Sequence, residues 1–206
     1  MSGPAGSLEA LLEWDPRGKP SRAALLCHPH PLYGGTMHNK VVFRAAKGAV
    51  QAGLPALRFN FRGVGKSAGS YDHGRGEGDD VTAALDYLGT RFPALPVCLI
   101  GFSFGAIVGL RVGATDPRVA ALIGLGIPVA TANFDFLTGV TKPKLIIQGT
   151  RDQFGPREEV EPFYASLSEP KRIRWIEDAD HFFTGKLETL QRSVREFLET
   201  ARGRPL

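Results

Sequence analysis

Short, almost uninterrupted apolar runs recur along the chain, separated by longer stretches in which apolar residues return every three or four positions. The runs at 23–27, 56–61, 97–102, 121–127, 144–148 and 173–176 have the length and the continuous hydrophobicity of strands covered on both faces. Between them, 36–52, 77–91, 104–114, 157–167 and 185–201 read as helices. The last has the cleanest spacing, with Leu187, Leu190, Val194, Phe197 and Leu198 on one face. Strands alternating with helices in this way predict an α/β fold, a mostly parallel central sheet with helices on both faces. A weaker run at 8–14 adds a candidate edge strand.

Glycine and proline gather just after the proposed strands, at 28–35, 63–78 and 149–156. Open α/β sheets carry their ligand-binding loops at those strand ends, so the chemistry belongs there. The stretch from 127 to 144 is short, which leaves no room for a large helical lid and predicts an open cleft.

Composition narrows the class. The chain has 206 residues and is 43% hydrophobic, enough for one core and one domain over 1–206. Its formal charge of +4 comes from scattered Lys and Arg with no basic run, which argues against nucleic-acid binding. The N-terminus lacks a basic segment followed by an apolar one, and no stretch has the length of a membrane span, so a soluble, cytoplasmic protein is expected. Cys27 and Cys98, the two cysteines, sit inside proposed strands and are expected to be buried core residues rather than a disulfide.

Two segments match the G-x-S-x-G pattern of a serine nucleophile, GKSAG at 65–69 and GFSFG at 101–105. The pattern works because the serine occupies a strained strand-to-helix turn, which small neighbours allow. Ser67 has loop on both sides. Ser103 has a strand before it and a helix after it, so Ser103 is the candidate nucleophile. A serine hydroxyl needs a base within reach and a group that orients the base. Asp152 follows the strand at 144–148, and His181 follows the strand at 173–176. The order Ser, Asp, His is that of the α/β-hydrolases. Asp178 and Asp180 are adjacent acids, but residues beside the histidine in an extended loop are badly placed to meet its Nδ1.

Acyl transfer also requires backbone N–H donors for the developing oxyanion. Phe104 supplies one. The second is expected from the loop CHPHPLYGG, where Pro29 and Pro31 have no N–H; His30 is the first choice, with Leu32 and Tyr33 as alternatives. Tyr33 and Phe154, with Leu32 and Phe104, are expected to line the substrate pocket. His28, His30 and His38 do not continue as a metallo-hydrolase site would, because Pro31, Leu32 and Tyr33 follow, so no metal is expected. GKS at 65–67 is not a phosphate loop, since Asn60 stands where its first glycine belongs. Arg62 is expected to tie loops together, and Asp79 or Asp80 to cap the following helix.

Taken together, HPHPLYGGTMHNKVV, RFNFRGVGKSAGSYDHGRGE, GFSFGA, IQGTRDQF and DADHFF resemble the small lidless bacterial α/β-hydrolases near the dienelactone-hydrolase-like branch, over roughly residues 20–200. That resemblance implies Ser103, Asp152 and His181 as a catalytic triad, with Phe104 and the 28–35 loop as oxyanion hole. Dienelactone hydrolases use a cysteine nucleophile, and serine stands there in this chain. Ester chemistry is therefore the expectation: a carboxylesterase-like serine hydrolase acting on small, short-acyl esters, with no cofactor. An acyltransferase or amidase with the same triad is the alternative within enzymes, and a non-catalytic binding protein on this scaffold is the alternative outside them.

Overall fold

In the computed structural model, which describes residues 1–200, seven strands form one sheet. A two-strand hairpin, β1 (Ser2–Gly3) and β2 (Gly6–Ser7), precedes it. The chain then runs β3 (Ala10–Glu13), β4 (Ala23–Cys27), α1 (Lys40–Gln51), β5 (Ala56–Phe59), α2 (Arg75–Arg91), β6 (Val97–Phe102), α3 (Phe104–Thr115), β7 (Val119–Leu125), β8 (Lys144–Gly149), α4 (Arg157–Ser166), β9 (Lys171–Ile176) and α5 (Leu187–Thr200). The order across the sheet is β3-β5-β4-β6-β7-β8-β9, with only β3 antiparallel. Residue 201, the last of the C-terminal helix expected from periodicity, lies outside the described residues.

The continuous hydrophobicity of the central strands has a direct structural cause, because successive side chains point to opposite faces and both faces are covered. Ala24 and Leu26, Cys98 and Ile100, and Leu145 and Ile147 enter a core roofed by α1 and α5. Ala23 and Leu25, Val97 and Leu99, and Ile146 enter the opposite core beneath α2 and α3. Cys27 and Cys98 are both free and buried.

Element ends differ from the sequence expectation where side chains, not hydropathy, decide them. The first helix starts at Lys40 rather than 36, because the Asn39 side chain accepts from the Val41 N–H and caps it there. The second starts at Arg75 behind Gly74, so Asp79 and Asp80 lie inside the helix and neither caps it. Asp80 instead grips Arg62, accepting from its backbone N–H at 2.9 Å and from its guanidinium at 2.8 Å. Strand β9 begins at Lys171, two residues early, because its alternation of exposed and half-buried residues accommodates Lys171 and Arg172. Between β7 and β8 the connection contains only a single 3-10 turn, Asp135–Leu137, and among the described residues no helical cap forms over the carboxyl ends of the strands.

Candidate active site

Three loops at those carboxyl ends bring Ser103, Asp152 and His181 together. Ser103 sits between β6 and α3 with φ 54° and ψ −120°, a conformation that is unfavourable for any residue with a Cβ. Its neighbours explain how the turn closes. A Cβ on Gly101 would lie 2.4 Å from the Gly105 carbonyl oxygen, and one on Gly105 would lie 2.3 Å from the Cys27 carbonyl oxygen. Only glycine lets the turn pack against itself and against the end of β4.

The Ser103 hydroxyl lies 3.0 Å from His181 Nε2. On the other side of the ring, His181 Nδ1 lies 2.8 Å from Asp152 Oδ2 and 3.0 Å from Oδ1. A carboxylate only accepts, so the ring proton sits on Nδ1 and the Nε2 lone pair faces the serine hydroxyl. Asp152 is buried, and its other contacts hold it in place. Oδ1 accepts from the Phe154 N–H at 2.9 Å and Oδ2 from Gln148 Nε2 at 2.9 Å. Gln148, fully buried at the end of β8, also accepts from the Ile127 N–H at 2.9 Å and donates to the Gly155 carbonyl at 3.0 Å. The sequence offered Gln148 only as the last residue of a strand, and nothing in its neighbours marked it as the support for a carboxylate. Phe102, Phe154 and Phe182 surround the His181 ring with centroids 5.1, 4.7 and 5.3 Å away.

The competing residues are engaged elsewhere. Ser67 Oγ donates to the Asn60 carbonyl at 2.7 Å and accepts from the Glu9 N–H at 3.0 Å, which makes it a buried loop fastener. Asp180 accepts from the Phe182 and Thr184 N–H groups, and Asp178 pairs with Arg151. Those backbone donors hold the Asp180 carboxyl below the usual range against the opposing effect of its burial.

The loop after β4 is set by two histidines with different roles. His28 is buried, donates from Nδ1 to the Pro29 carbonyl at 2.6 Å and accepts at Nε2 from the Phe61 N–H at 3.0 Å. Both nitrogens are thereby used, and burial lowers its pKa to about 4. His30 accepts at Nδ1 from the Leu32 N–H at 3.2 Å, with Nε2 3.2 Å from the Tyr71 hydroxyl. Burial also shifts this ring toward its neutral form. The His30 carbonyl takes the Tyr33 and Gly35 N–H groups at 3.1 and 3.0 Å. Of the three amides considered for this loop, those of Leu32 and Tyr33 are therefore engaged. Among the described residues no acceptor takes the N–H of His30, nor that of Phe104 at the start of α3.

A cleft of about 460 Å³ opens onto Ser103 and His181, within the range of small-molecule sites. Tyr33, Phe104 and Phe154 line it as expected, but Leu32 does not. Leu32 faces solvent, while Ile107 and Phe182 take places in the wall that the sequence did not suggest. Phe182 follows His181 directly, and an aromatic beside the histidine was the available clue.

A strand-turn-helix serine with a histidine and a carboxylate from later loops, on a mostly parallel sheet, defines an α/β-hydrolase. The sequence matches the alpha/beta hydrolase domain family over residues 22–202, and the chain belongs to that family of hydrolases. Among solved structures it is similar to an alpha-beta serine hydrolase homologue from Coxiella burnetii, at 41% identity and a TM-score of 0.90, covering 96% of this chain and 95% of that one. It is also similar to a serine hydrolase without lid from Xanthomonas campestris, at 34% identity and a TM-score of 0.89, covering 98% and 93%. An uncharacterised protein of Rickettsia prowazekii is 38% identical over 86% of this chain and 78% of its own length. The fold is thus that of a small lidless α/β-hydrolase. Among the described residues no helix is long and apolar enough to cross a membrane.

Proposed function

We propose that the protein is a carboxylesterase-like serine hydrolase of small, short-acyl esters, with Ser103 as nucleophile, His181 as general base and acid, and Asp152 orienting His181. The observation that carries this reading is the unbroken hydrogen-bond line from Ser103 Oγ through His181 to Asp152, at 3.0 and 2.8 Å, on a strained turn. Ser103 Oγ attacks the ester carbonyl carbon while its proton passes to His181 Nε2. The oxyanion accepts from the free N–H groups of Phe104 and His30. Collapse breaks the bond to the alcohol, which leaves with the proton from Nε2, and the acyl group stays on Ser103. Water then gives a proton to Nε2 as its oxygen attacks the acyl carbon, the bond from that carbon to Ser103 Oγ breaks, Nε2 returns the proton to Oγ, and the acid leaves. Each oxyanion donor contributes on the order of 10²-fold or more to such a step.

The test is labelling by a fluorophosphonate in the wild type, Ser103→Ala and Ser67→Ala. Label is expected on the wild type and Ser67→Ala, and none on Ser103→Ala. Equal labelling of wild type and Ser103→Ala would sink the assignment. A p-nitrophenyl ester series from acetate to palmitate tests acyl length, and a preference for palmitate would refute the short-acyl reading.

A further inference from the structure

The exposed apolar residues of this protein are not scattered. Six large hydrophobic side chains are exposed among the described residues, and three of them, Tyr33, Phe154 and Phe182, line the cleft. Isolated exposed hydrophobics need no explanation, but a group around one opening does. The cleft wall also contains no Asp, Glu, Lys or Arg among the described residues. A charged group seated against that wall would find no side-chain counter-ion there, which favours a neutral occupant.

The chemistry of the proposed reaction says which part of the occupant each wall meets. The departing alcohol oxygen is the atom that His181 Nε2 protonates, so the alcohol portion lies on the histidine side of the cleft. Phe154 and Phe182 stand there, with centroids 4.7 and 5.3 Å from the imidazole and planes at 62° and 82° to it. They pack on the same imidazole, yet among the described residues they form no ring pair with each other. Both remain substantially open to solvent, at 38% and 52%. Phe182 also meets the Phe102 ring edge-on at 6.0 Å, but the solvent-facing parts of both rings stay uncovered, and two steep rings beside the leaving oxygen match a flat partner better than a saturated one, because aromatic pairs gain beyond the area they bury.

We infer that Phe154 and Phe182 form the alcohol-side subsite and that the substrates are neutral esters of aromatic alcohols with short acyl groups. This rests on the esterase reading above and names its substrate class. The acyl side, beneath the oxyanion donors, needs room only for a short chain.

The experiment compares benzyl acetate with cyclohexylmethyl acetate, esters of similar size and leaving-group basicity. It measures kcat/KM for each by acid release, corrected for alkaline hydrolysis rates. Wild type is expected to favour the benzyl ester by about two- to tenfold, the span of an aromatic pair. Phe154→Leu and Phe182→Leu, which keep apolar bulk but lose the ring, should bring the ratio toward one, with fluorophosphonate labelling showing that each variant is folded around Ser103. On the acyl side, methyl benzoate and methyl cyclohexanecarboxylate should show no aromatic advantage. A wild-type ratio of one on the alcohol side, a preference that survives in both variants, or a ring preference confined to the acyl side overturns the inference while leaving a labelled esterase intact. Failure of the wild type both to label and to cleave either acetate overturns the esterase reading and this inference together.

Discussion

Replacing Gln148 by leucine tests whether the carboxylate at the back of the site is held by its buried neighbours. Leucine has a similar volume, so the change removes hydrogen bonds without opening a large cavity. It leaves the Ile127 N–H and the Gly155 carbonyl without the partners now at 2.9 and 3.0 Å, and takes one donor from Asp152. An orphaned buried polar group costs about 1–3 kcal/mol. Two such groups, partly relieved by local adjustment, give an expected loss of ~3 kcal/mol, equivalent to about 6–12 °C in Tm for a chain of this size. The initial rate of fluorophosphonate labelling should fall about tenfold, since a carboxylate free to rotate no longer fixes the imidazole. Gln148→Glu should be worse for labelling than the leucine variant, because it keeps an acceptor for Ile127 but sets a second carboxylate against Asp152. Calorimetry and labelling time courses read both effects. If Gln148→Leu melts within about 2 °C of wild type and labels at the wild-type rate, the support assigned to this side chain does not exist, since an orphan cost of the size used here must move Tm by more than that.

Gly105→Ala drives a Cβ to 2.3 Å from the Cys27 carbonyl oxygen; a loss of about 2 kcal/mol or more with severely reduced labelling is expected. Gly89→Ala, in α2 with nothing within 4 Å of its Cβ, should instead raise stability by about 0.5–1 kcal/mol, and chemical denaturation of the two variants compares them directly. Burial pushes the Cys98 thiol up to about 12 and the Cys27 thiol higher still, so neither is expected to react with a thiol-exchange reagent at pH 8 until the protein is unfolded; rapid labelling of native protein would contradict this. For His28, whose folded pKa is about 4 against 6.5, neither folded nor unfolded chain binds the proton well above pH 6.5. Its contribution is complete there. As pH falls toward 4 the unfolded state takes a proton that the folded state refuses, so stability drops by up to roughly 3 kcal/mol. Urea titrations at pH 7.5 and 4.5 should show a smaller difference in His28→Gln than in wild type.

The sheet was legible because covering both faces of a strand leaves a mark that composition alone carries, as in VCLIGF and KLIIQ. The two glycines around Ser103 were legible for the same kind of reason: a close backbone approach admits almost nothing else. Boundaries set by one hydrogen bond left weaker marks. Asn39 is a cap in the structure and an unremarkable polar residue in the sequence, and Glu77, buried and accepting from the Asp72 and Gly74 N–H groups, holds a loop whose order no periodicity reveals. The hairpin of Ser2–Gly3 and Gly6–Ser7 is too short to produce alternation. Within the site, the residues proposed to meet reacting atoms follow a known spacing, whereas Gln148, which holds Asp152, and Tyr71, which meets His30, are defined only by what lies across the fold. Phe182 and Leu32 show the same limit from the other side, since which of two apolar residues near a loop end turns inward depends on backbone geometry.

The backbone at Ser103 carries a consequence for how this protein can change over time. Holding a residue with a Cβ at φ 54° and ψ −120° costs about 1–3 kcal/mol, and glycine at that position would escape it, less roughly 0.5–1 kcal/mol for its greater freedom when unfolded. Ser103→Gly is therefore expected to melt above wild type while losing all fluorophosphonate labelling. If Ser103 is the nucleophile proposed above, heat tolerance and turnover pull this one position in opposite directions, so a lineage drifting under selection for endurance alone would lose its chemistry first there.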